Sequence, residues 1–112
     1  GLVASWPMDE NGSNAVNDAT SNNNNGTING GATWTTDSRV STSALSFDGT
    51  GSVAVANSDD INIGGPYPDR TITAWFKVSD ITTRQMIYEE GGGARGFNIY
   101  VEGGQVYVGG WN

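Results

Sequence analysis

The stretch Ala44-Leu45-Ser46-Phe47-Asp48-Gly49-Thr50-Gly51-Ser52-Val53-Ala54-Val55 constrains this chain more than any other. Apolar residues alternate up to the carboxylate of Asp48, a Gly-Thr-Gly turn follows, and a second alternating run leaves it. Period-two alternation broken by glycine predicts strand, tight turn, strand, so 44–47 and 52–56 are expected to pair with Asp48 held at the turn. Other segments repeat the pattern. Leu2, Ala4, Trp6 and Met8 alternate over residues 2–8, with Pro7 near the end, where a terminal or edge strand tolerates it. Thr27 to Trp34 predicts a short strand. Arg70 to Val78 is the strongest strand pattern, with Ile72, Ala74, Phe76 and Val78 facing one way and Thr71, Thr73, Trp75 and Lys77 the other. Arg84 to Glu90 adds a strand. Gly96–Glu102 and Gln105–Gly110 predict a hairpin whose Gly103-Gly104 supplies the positive φ angles of a two-residue turn. Helical periodicity and internal repeats are absent. About eight short strands separated by polar turns predict an all-β, antiparallel β-sandwich.

Between the strands lie long polar stretches. Residues 9–26 contain four consecutive asparagines, which build no core but tolerate left-handed backbone and offer side-chain carbonyls, so this is read as an elaborate loop. Residues 57–69 form a second loop, closed by Pro66-Tyr67-Pro68-Asp69. The 112 residues suit one domain with one modest core. Seventeen glycines agree with a turn-rich β fold. No apolar run approaches the roughly 20 residues that span a bilayer as a helix, so membrane insertion is not expected.

Twelve acidic residues against five basic ones give a net charge of −7, which repels nucleic acid and anionic lipid and suits a divalent cation. With neither Cys nor His, thiolate or imidazole zinc sites, His-dependent triads and disulfides are excluded within the chain. Calcium takes oxygen ligands. Asp18, Asn23 and Asn25 of the first loop, with Asp48 on its turn, form the candidate ligand set, the alternative being a loop of Asx turns that satisfies its own backbone. An EF-hand is ruled out because Ser21 stands at the leading position and Ala32 where the bidentate Glu belongs. Glycoside hydrolysis needs two carboxylates flanking the bond. Asp59-Asp60 and Glu89-Glu90 are sequence neighbours, which point to opposite sides of a strand, so the chain is not expected to be an enzyme. Sugar recognition needs aromatic platforms. Trp34, Tyr67, Tyr100, Tyr107 and Trp111 are candidates, with Tyr100, Tyr107 and Trp111 the leading set and sheet packing the alternative. Trp6 and Trp75 are assigned to packing, and the arginines are scattered.

Three stretches, Gly1–Glu10 with the loop ending Asn25-Gly26-Thr27, Leu45-Ser46-Phe47-Asp48-Gly49, and Arg70-Thr71-Ile72-Thr73-Ala74-Trp75-Phe76-Lys77, together resemble a laminin-G-like domain of the concanavalin A-like lectin/glucanase superfamily. The resemblance implies a jelly roll, a structural calcium near the first loop, and an extracellular or cell-surface setting in a bacterium. Ser52 replaces a second carboxylate that many relatives carry after the Phe-Asp-Gly turn. Relatives also continue with further strands beyond Asn112, so residues 1–112 are expected to be the N-terminal portion of a domain. The implied role is a non-catalytic recognition module for a glycan or a protein surface. The alternative is an assembly module completed by a complementary C-terminal fragment, favoured here over a second copy of the chain.

Overall fold

A computed structural model describes residues 1–62 and 69–111. The described residues contain no helix and eight strands: β1 (Ala15–Val16), β2 (Gly26–Asn29), β3 (Ala32–Thr35), β4 (Ala44–Phe47), β5 (Ser52–Val55), β6 (Gln85–Gly91), β7 (Gly96–Glu102) and β8 (Gln105–Trp111). They form three antiparallel sheets, ordered β1-β2-β5, β3-β4 and β6-β7-β8. The chain divides into two compact units, Gly1–Ile63 and Gly64–Asn112.

The first unit is organised by a bent ribbon. β4 and β5, expected to pair with each other, do not: β5 pairs with β2 and β4 with β3. Asn29 faces Ser52 and Ala32 faces Phe47, so residues 48–51 lie opposite only 30–31 and the ribbon turns a corner there. Bends of this kind let strands pass from one sheet to another. Glycine makes the corner possible. Gly30 has φ +63, and a Cβ there would run into the Thr50 carbonyl; a Cβ on Gly51 would meet the Ala32 amide. A strand–turn–strand motif specifies alternation and a turn but not the partner, and here the extra residues at the corner redirect both strands.

Two expected strands belong to no ladder among the described residues. Residues 2–8 spend their backbone groups on the first loop instead. The Ser5 N–H donates to Asp18 Oδ1 at 3.0 Å, and the Val3 carbonyl accepts from the Asn22 and Asn24 side chains at 2.8 and 3.1 Å. Residues 70–78, the strongest strand pattern, also lie outside every strand. Conversely, β1 is a two-residue strand inside the stretch read as loop, too short to show a period. The expected 27–34 strand is two strands, β2 and β3, divided at Gly30-Gly31.

The second unit is a three-stranded meander. Gly103 and Gly104 take φ +57 and +78, the two-positive-angle turn expected of a tight hairpin. Their N–H groups donate to the Thr82 and Ile81 carbonyls at 3.1 and 2.7 Å. Asp80 caps that supporting loop, accepting from the Thr82 amide and hydroxyl. The Thr82 and Thr83 side chains and amides hold its carboxyl well below the usual carboxylate range. A register shift between Met86 and Tyr88 marks a bulge in β6. Arg70 forms an ion pair with Glu90 of β6, whose side chain is only 6% exposed.

Apolar burial is sparse. Val16, Ala32 and Val101 are the buried hydrophobic residues among those described, whereas Phe47, Trp75, Phe76, Val106 and Val108 are exposed. No helix among the described residues is long and apolar enough to cross a membrane.

Candidate functional site

Side chains alternate across a strand, so the register assigns the faces of the second sheet. β7 pairs with β8 through Gly96–Trp111, Asn98–Gly109, Tyr100–Tyr107 and Glu102–Gln105, and these eight residues share one face. Phe97, Ile99 and Val101, opposite Gly110, Val108 and Val106, share the other. Two of the three candidate aromatics are therefore directly opposed. The Tyr100 and Tyr107 rings stack with centroids 5.0 Å apart and planes 12° from parallel. Aromatic pairs favour such stacking over mere proximity.

The stack extends to the residue just before β6. The guanidinium carbon of Arg84 lies 4.8 Å from the Tyr100 centroid, so Tyr100 sits between a cation and a second ring. Arg84 is oriented by Glu102, receiving its Nε and Nη2 donors at 3.3 and 3.2 Å. The Tyr107 hydroxyl donates to Gln105 Oε1 at 2.9 Å. Arg84 and Gln105 were not singled out in the sequence. Their signal was the hairpin register itself: continuing the Gln85–Val101 pairing by one residue places Arg84 opposite Glu102.

Trp111 lies on the same face, two register pairs along from Tyr107. Its indole ring covers Gly96, where any Cβ would collide with it, and its Nε1 donates to the Gly92 carbonyl at 2.8 Å. Between Tyr107 and Trp111 the floor is Gly109 beside Asn98, whose Oδ1 is 3.1 Å from where a Gly109 Cβ would stand. The face thus carries two aromatic platforms separated by a low floor with an amide at its side.

The expected metal ligands lie in the first unit. Asp18 is buried and accepts four hydrogen bonds: Oδ1 from the Ser5 and Thr20 amides at 3.0 and 2.9 Å, Oδ2 from the Thr20 hydroxyl and the Asn24 amide at 2.8 and 3.0 Å. Burial works against its charge, but the hydrogen bonds outweigh burial and lower its pKa from 3.8 to about 2. Asn25 is brought to it, Oδ1 accepting from the Asp18 amide at 2.8 Å. Asn23 takes a left-handed φ of 57° and turns its amide to the Ser21 carbonyl at 3.4 Å. Asp48 lies at the ribbon corner against Gly31, where it accepts from the Thr50 amide and hydroxyl at 2.8 and 2.6 Å, which lower its pKa. An ionised carboxylate offers about four lone-pair sites. Those of Asp18 are taken by protein donors, and no group of three or more acidic side chains suited to a metal occurs among the described residues. These hydrogen bonds order the loop through its own polar groups. Trp34 is tied into the first unit, its Nε1 donating to the Ser13 carbonyl at 2.7 Å. Tyr67 lies outside the described residues.

Searches against protein families, characterised proteins and solved structures found nothing that matches this chain.

Proposed function

We propose that this chain is a non-catalytic recognition module that binds a glycan on the Tyr100–Tyr107–Trp111 face of its second sheet. The observation that carries this reading is the Arg84–Tyr100–Tyr107 stack. With Tyr100 enclosed between Arg84 and Tyr107, the partly exposed Tyr107 and Trp111 rings are the flat apolar bodies left for the C–H face of a sugar ring, with polar groups nearby for its hydroxyls. Arg84, Glu102, Gln105 and Asn98 supply donors and acceptors beside the rings. The laminin-G-like resemblance supports the same role, together with a completed β-sandwich and an extracellular or cell-surface setting. The corner where the 26–35/44–55 ribbon passes between sheets is a construction that sandwiches use.

A glycan array probed with the folded chain tests the reading. Binding should fall about tenfold or more in Tyr107→Ala and Trp111→Ala, a loss of roughly 1.4 kcal/mol or more. A folded chain that binds no glycan overturns the proposal.

A second reading, assembly with a complementary polypeptide, has its own observation. Residues 70–78 carry the strongest strand pattern yet lie outside every strand, with Trp75 and Phe76 69% and 45% exposed. A partner strand paired to this segment would give the alternation a sheet to belong to.

A further inference from the structure

We propose that β8 is a self-pairing edge, through which two copies of this chain join antiparallel about a two-fold axis at Val108. This inference is independent of what the aromatic face binds.

The two edges of the β6-β7-β8 sheet are built differently. β6 carries a bulge between Met86 and Tyr88 and the exposed carboxylate of Glu89, with Arg84 immediately before it. Bulges and charges are the devices that keep an edge strand from pairing. β8 has none of them. Gln105-Val106-Tyr107-Val108-Gly109-Gly110-Trp111 is regular over its length, contains no charge and no proline, and has no strand on its outer side among the described residues. A chain of net charge −7 would repel its own copy at most surfaces, but not along this strand.

The backbone has the right phase. A two-residue turn at Gly103-Gly104 makes Glu102 and Gln105 a hydrogen-bonded pair, so 105, 107, 109 and 111 direct their backbone groups at β7. The N–H and C=O groups of Val106, Val108 and Gly110 therefore point outward. Antiparallel pairing centred on Val108 sets Val106 against Gly110 of the second copy and Val108 against its own equivalent. All three outward residues then form hydrogen-bonded pairs, about six bonds in all.

The side chains fit the same register. Tyr107 comes to lie opposite Gly109 of the second copy and Val106 opposite its Gly110. Tyr107 and Val106 thus each meet a glycine across the axis, and aromatic cover of an edge glycine is a known stabiliser of strand pairs. On the apolar face Val108, 65% exposed in the single chain, would meet its own equivalent, and Val106, 59% exposed, would lie diagonal to the second copy's Val108. One two-fold contact consumes the outer edge of both β8 strands, so the assembly closes at two chains.

Sedimentation from micromolar to millimolar concentration tests this. The mass should rise from 11.7 kDa toward twice that value and stop. Val108→Lys, which sets two cations face to face on the axis, should keep the chain monomeric. So should Val108→Pro, which removes an outward N–H that β7 does not use; hydrogen exchange of β7 should be unchanged in either variant that remains folded. The register is tested by cysteine, which the chain otherwise lacks. Directly paired residues have Cα atoms about 5.5 Å apart, within disulfide reach. Two copies of residue 106 would be four positions apart, roughly 13 Å. Val108→Cys should therefore cross-link roughly ten times faster or more than Val106→Cys. A single monomer mass at all concentrations, masses that climb past the dimer, or equal cross-linking of the two variants would each overturn the proposal.

Discussion

Replacing Arg70 by methionine should cost the second unit most of its stability, because it leaves the charge of Glu90 inside the sheet without its partner. The Glu90 and Arg70 side chains are 6% and 19% exposed, Arg70 pairs with Glu90 Oε1, and Oε2 is buried without a hydrogen-bond partner. Removing one member of a buried ion pair costs about 3–5 kcal/mol, since the remaining charge keeps its desolvation penalty and loses its compensation. Arg70 keeps some contact with water, which places the expected loss near the lower limit, about 3 kcal/mol. A unit of about 50 residues at about 0.05–0.15 kcal/mol per residue has roughly 2.5–7.5 kcal/mol in total. The variant should therefore be marginal or unfolded in this half. The double variant Arg70→Met/Glu90→Met removes both charges and fills the space with apolar groups, and should come within about 1 kcal/mol of the parent. Hydrogen exchange of the β6–β8 amides reads both, because it reports this unit separately from the first. If Arg70→Met loses less than about 1 kcal/mol, or if the double variant is as unstable as the single one, the pair does not hold the sheet as argued.

Gly96→Ala should displace the Trp111 indole, since the new methyl occupies the ring's seat and lies 2.6 Å from the Glu90 carbonyl. Overpacking of this kind costs about 1–3 kcal/mol, and unchanged exchange at both Gly92 and Trp111 would refute it. Acid should loosen the first loop: the Asp18 pKa is lowered from 3.8 to about 2, so its contribution is complete above pH 3.8 and drains away as pH falls toward 2. Asp48 and Asp80 act in the same direction, so Asp18→Asn, monitored by amide exchange of Ser5, Thr20 and Asn24, should flatten only its own share of the decline. Thermal melts in calcium and in chelator should coincide, because protein donors already occupy the Asp18 oxygens; a difference of several degrees would mean that a cation displaces them.

The second sheet was largely legible in the sequence, and for a definite reason. Its hairpin has a turn that Gly103-Gly104 satisfies without strain, and that turn fixes every pair from Glu102–Gln105 to Gly96–Trp111. The Tyr100–Tyr107 juxtaposition follows from counting outward from Gly103-Gly104. The first unit was less legible because its pairings are non-local and pass through a corner. Alternation in 44–47 and 52–55 is present, but choosing β3 and β2 as partners requires knowing that residues 48–51 stand opposite only Gly30-Gly31. Residues 2–8 misled for another reason. Their apolar period is genuine, yet Asp18, Asn22 and Asn24 supply backbone partners that a neighbouring strand would otherwise supply.

That substitution explains how an asparagine-rich loop is ordered without a core. Thr20 and Asn24 donate their amides to one carboxylate, Asn22 and Asn24 donate their side chains to one carbonyl, and the Trp6 indole donates to the Asn24 carbonyl at 2.7 Å. Each bond adds only about 1 kcal/mol net, but leaving such groups unpaired would cost more, so the set selects one conformation more strongly than it stabilises it. Polar nodes of this kind, at Asp18, Asp48 and Asp80, fix turns locally and leave apolar side chains free to serve other surfaces. The exposed valines of β8 and the aromatic stack on its opposite face therefore stay at the surface, because the geometry that presents them is held by turns and hydrogen bonds rather than by their own burial.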